Sequence, residues 1–146
     1  MNTLAIIGIS LILCSSAALA DFSERKLEST KRSAERTAKL IAFIFYDDIV
    51  VSRDSNDVNG AGGKNNAAKR AVPRTDVVIL EINKSDKEMD KLPECVKKDG
   101  VLPRVVITDS KCEEVITQYE GAPSREKVKE IEAKVAEATK FLEKKK

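Results

Sequence analysis

The chain contains no histidine and no tryptophan, and of its three cysteines one, Cys14, lies in an uncharged leader. Without an imidazole, Ser-His and Cys-His nucleophile pairs and His-ligated metal sites are excluded. Aromatic residues make up only 4% of the sequence, and Lys alternates with Glu instead of clustering. Both features argue against a stacking surface for nucleic acid. Neither sign of charge dominates: 26 Lys+Arg stand against 24 Asp+Glu, a balance that points to no polyanion. Nor is there an apolar run of the ~20 residues that a spanning helix needs; the stretch Leu4 to Leu13 falls short of it.

What is present begins with that leader. Residues 1–20 carry no charged side chain and end in Ala18-Leu19-Ala20 ahead of the polar "DFSERK", the pattern of a secretory signal peptide cleaved after Ala20. A secreted or periplasmic protein is expected, with residues 21–146 forming a single domain. The absence of Lys or Arg near the start keeps an alternative open, membrane anchoring through an uncleaved leader. Bulky Leu13 before Cys14 argues against lipid modification there.

The mature chain alternates helical and strand patterns. "DFSERKLESTKRSAERTAK" reads as a charged helix with Phe22, Leu27, Thr30 and Ala34 on one side and a Glu28/Arg32 pair at i,i+4. "LIAFIFY" is a near-continuous apolar run, the mark of a strand covered on both faces. A long loop, "DDIVVSRDSNDVNGAGG", precedes an expected helix over "KNNAAKRAV", which Pro73 ends. "TDVVILEIN" is the second buried strand. A helix with Ser85 or Asp86 as its N-cap is expected over "SDKEMDKLPECVKK", broken or kinked at Pro93. "DGVLPRVVITD", "SKCEE" and "VITQYEG" predict a hairpin. The last helix is capped by Ser124 and striped by Val128, Ile131, Val135, Ala138 and Leu142. This order predicts a three-layer α/β/α sandwich around a mixed central sheet.

The loop after the first strand is the natural place to look for chemistry, and the motifs it offers fail. A calcium loop framed from Asp54 puts Val58 on a ligand position, and one framed from Ser55 puts Asn66 where the bidentate Glu belongs. "GAGGKN" resembles a phosphate cradle, but Val58 replaces its first Gly and Asn65 its Ser or Thr. Asp47 and Asp48 point opposite ways on an extended segment, so they do not pair as acid and base. No metal and no cofactor are expected.

The element order, "GVLPRVVITD" and "YEGAPSREKVKEI" resemble the thioredoxin-like superfamily, and "AERTAKLIAFIFY" is similar to the lead-in of exported bacterial thioredoxin-like domains. The resemblance covers roughly Ala34 to Leu142. It implies a cis-proline at Pro103 and a pre-helix glycine at Gly121; Arg104 departs from the small or hydroxylic residue usual after that proline. Catalytic members carry Cys-x-x-Cys where the first long strand meets its helix, because the helix N-terminus favours a thiolate. The equivalent positions here fall within Val50 to Asp54, and no cysteine occurs between Cys14 and Cys95. The resemblance therefore implies a non-catalytic exported domain that binds a protein or an extended peptide through Val50, Val51, Ser52, Arg53, Leu102 and Pro103.

Cys95 and Cys112 are the candidate disulfide of an oxidising compartment, with two isolated thiols as the alternative. Neither is expected to precede a helix in a way that would activate it. Two further readings stay open: an atypical thiol-disulfide oxidoreductase working through this pair, and a structural envelope protein whose charged helices pack on other chains.

Overall fold

The structure is a computed structural model and describes residues 22–46 and 61–144. The leader and the loop positions Val50, Val51, Ser52 and Arg53 lie outside the described residues.

Helix α1 (Glu24–Thr37) starts where the Ser23 side chain accepts a hydrogen bond from the Lys26 amide, and it ends at Ala38 in the left-handed region, φ 53°. Its inner face is the expected one, Leu27, Thr30 and Ala34 being buried together with Phe22. Glu28 pairs with Lys31 at 3.3 Å, three residues on, instead of with Arg32. Strand β1 (Leu40–Tyr46) is buried along its length except at Tyr46, as its unbroken apolar run predicts. Helix α2 (Ala61–Arg70) begins earlier than expected. Gly62 and Gly63, assigned to the loop, lie in its first turn, and Ala68, Ala71 and Val72 are buried behind it.

Strand β2 (Val77–Asn83) runs parallel to β1. Strands β3 (Arg104–Thr108) and β4 (Val115–Glu120) form the expected antiparallel hairpin, and β3 also pairs antiparallel with β1. The sheet order is β2-β1-β3-β4, so β1 and β3 are central. The half-exposed positions of β2 and β4 reflect their places at the edges. Helix α3 (Arg125–Lys144) is capped by Ser124, whose hydroxyl accepts from the Lys127 amide at 3.2 Å.

Alternation along β1 divides the core. Ile41, Phe43 and Phe45 face α1, whereas Leu40, Ala42 and Ile44 face Ala68 of α2 and Ile131 and Val135 of α3. A mixed four-stranded sheet between helical layers results, with two separate apolar cores.

The expected helix between Ser85 and Lys98 does not form. Two short 3-10 turns replace it, Met89–Lys91 and Glu94–Val96, separated by extended Leu92 and Pro93. Pro93 lacks an amide hydrogen and disfavours helical backbone in the residue before it, so neither half is long enough to persist as an α-helix. Asp86 does not cap a helix either; its carboxylate accepts from the Asn83 amide at 2.9 Å.

Candidate functional site

The end of the sheet where β1 finishes and β3 begins carries the most unusual chemistry among the described residues. Phe45 and Arg104 are register partners on neighbouring strands. Antiparallel partners project to the same face, which brings the Arg104 guanidinium to 4.6 Å from the centre of the Phe45 ring. Such stacking is favourable for a weakly hydrated cation.

Arg104 is only 7% exposed. Its Nη2 donates to the Val96 carbonyl at 2.9 Å, which ties β3 to the second 3-10 turn. Its Nε is buried with no hydrogen-bond partner, and among the described residues no carboxylate forms an ion pair with it. Burial lowers the guanidinium pKa, opposed by the charges of Glu120 and then Asp99. Glu120 lies across the hairpin from Arg104, but its Oε1 accepts from the Val101 amide at 3.1 Å. Gly100 makes this crowding feasible: a β carbon there would run into Glu120 Oε1 and approach Arg104 Cδ to 2.9 Å.

Arg104 lines a cleft of about 750 Å3 whose apolar lining includes Phe45, Met89, Leu92 and Leu102. Lys84, Lys97 and Lys98 add positive charge, against Asp90 and Asp99. The Leu102–Pro103 peptide bond is cis. Leu102 is half-buried in the cleft wall, Pro103 is buried beneath it, and the neighbouring Val101 is 67% exposed. The Pro103 carbonyl accepts from Gly121, whose φ of 63° suits a residue without a β carbon. Of the candidate groove residues, then, Leu102 and Pro103 meet at this end of the sheet. Met89, Leu92, Val96 and Arg104 were not foreseen as part of the site. The signal for Arg104 was available: a lone cation opening the strand "RVVIT", all of whose positions are buried.

The two cysteines lie elsewhere, in the core beneath α1. Cys95 belongs to the second 3-10 turn, and Cys112, at φ 61°, to the β3–β4 turn. Both are free thiols, and Cys95 Sγ donates to the Cys112 carbonyl at 3.1 Å. Burial raises both thiol pKa values, that of Cys112 to about 11. A reactive cysteine needs the opposite shift. A second cleft, about 830 Å3, opens near the start of β1, between the β3–β4 turn and the C-terminal half of α3, where it is lined by Lys134, Phe141 and Leu142. Among the described residues no group of three acidic or sulfur side chains is placed to hold a metal, and no helix is long and apolar enough to cross a membrane.

No protein-family model matches the chain, and no curated protein is similar to it in sequence.

Proposed function

We propose that this is an exported, thioredoxin-like domain without redox chemistry, which binds an extended protein segment in the cleft beside Leu102 and Pro103. The observation that carries the reading is that cleft: a hollow at the end of the two central strands with Phe45, Met89, Leu92 and Leu102 in its lining. The sheet order, with one parallel and two antiparallel pairings, supports the thioredoxin-like part of the proposal. So does Gly121 ahead of α3. Apolar side chains of a bound segment would enter the hollow while its backbone runs along the loop of residues 100–102. Thiol exchange through Cys95 and Cys112 is the less favoured reading, because both thiols are held protonated at neutral pH.

The test is an NMR titration of the isotope-labelled protein with acetyl-Leu-Val-Gln-Leu-Val-amide. Perturbations are expected at Phe45, Met89, Leu92 and Leu102. Truncating the wall of the hollow, Leu102→Ala, should weaken binding by about five-fold, since apolar contact with the bound segment is lost. Perturbations confined to other surfaces, or none at all, would remove the proposal.

A further inference from the structure

We propose that Arg104 is the receptor for a carboxylate, and that the occupant of the cleft is an extended apolar segment carrying an acidic side chain. This rests on the cleft being the binding surface proposed above and adds the chemistry that selects its ligand.

Four observations converge. Arg104 is more than nine-tenths buried, yet its Nε has no partner. Its nearest acid in register, Glu120, is engaged by the Val101 amide. The guanidinium plane is fixed on one side by Phe45 and at Nη2 by Val96, so the fork is oriented before any ligand arrives. Lys98 stands beside Arg104 in the lining, whereas Lys97 is already paired with Glu94 at 2.7 Å.

A purely structural arginine pinning the 3-10 turn would need Nη2 alone. The spare donor is what a carboxylate can use, because guanidinium and carboxylate match as a fork and the bond is charge-assisted. A buried donor left unmade is costly, and a ligand that supplies its acceptor recovers that cost on binding. The hollow around it takes the neighbouring apolar side chains, and Lys98 adds attraction for the acidic segment at longer range. A neutral segment of the same shape would gain the apolar contacts and leave Nε unsatisfied.

The experiment compares acetyl-Leu-Val-Glu-Leu-Val-amide with its Gln counterpart and follows the Arg104 side-chain Nε–H signal. The Glu peptide is expected to bind at least about ten-fold more tightly, with the Nε–H signal moving along the same saturation curve. Arg104→Met should bring the two peptides to equal affinity. If that variant does not fold, the wild-type comparison decides alone, with Arg104→Lys, which keeps the charge but loses the fork, expected in between. Equal affinities with Leu102 and Met89 still perturbed would overturn the role of Arg104 and leave the peptide cleft standing. Silence from both peptides would remove both readings. Sodium acetate shifting the Nε–H signal as far as the Glu peptide would identify a general anion pocket and overturn the peptide assignment.

Discussion

Cys112 combines three features that bear on its behaviour: it is buried, it lies at positive φ, and its carbonyl accepts the Cys95 thiol. Burial is the first cause of its raised pKa; Thr108 and Lys31 oppose that shift, while Cys95 and Asp109 add to it. The unfolded chain ionises this thiol near the ordinary thiol value of 9.0, the folded chain only at about 11. Stability gained from keeping the thiol protonated is thus fully present below the first value and is lost as pH rises to the second. The urea midpoint should fall between about pH 8 and about pH 10.5, and by less in Cys112→Ala, which keeps the β carbon at the same backbone angle. An equal fall in both proteins would show that other groups set the alkaline limit. Residue types alone gave no view of this: the sequence places the two cysteines in separate segments, and only the packing of the 3-10 turn against the hairpin brings them into contact. Arg104 is the reverse case, since a charge opening a buried strand is visible in the sequence but its missing partner is not.

Elements were legible in proportion to how strongly their local signals agreed. Helices α1 and α3 have apolar stripes and serine caps, and β1 has an unbroken apolar run; all three formed where expected. The segment from Ser85 to Lys98 had a cap and helix-favouring residues but also Pro93, and the proline prevailed. Helix α2 shows the complementary error, glycines that suggest a loop being drawn into a helical turn by the burial of Ala68 on the sheet. At α3, the Ser124 hydroxyl supplies an acceptor to the otherwise unpaired Lys127 amide. Ser124→Ala should therefore lower stability by about 1 kcal/mol, and Ser124→Asp should retain most of it. Thermal melts of the two variants against the wild type check this, and equal melts for Ala and wild type would mean that the cap contributes nothing.

On the scale of the whole molecule, the two cores separate what α1 covers from what α2 and α3 cover. The Tyr119 hydroxyl, donating to the Ala68 carbonyl at 2.8 Å, ties the edge strand β4 to α2 across the second core. The proposal of export makes a joint prediction for this molecule: mass spectrometry of the exported protein should find a chain beginning at Asp21. Whether an oxidising compartment bridges Cys95 and Cys112, whose contact here is thiol to carbonyl and not sulfur to sulfur, is read from the same spectrum: a bridge lowers the unreduced mass by two hydrogens relative to the reduced one. A retained leader would favour the membrane-anchored alternative, and identical masses would leave the pair as thiols.

The amino-acid sequence by itself determined the alternation of helices and strands, the burial of the most apolar strand on both faces and the absence of any imidazole or vicinal dithiol chemistry. These are properties of composition and short-range periodicity, and neighbours along the chain suffice to set them. Only the tertiary structure decided that Phe45, Val96 and Leu102 converge around Arg104, and that the guanidinium is buried with a donor to spare. The Phe45 contact joins strands far apart in the chain, and whether a buried charge is paired depends on distances that no local pattern encodes.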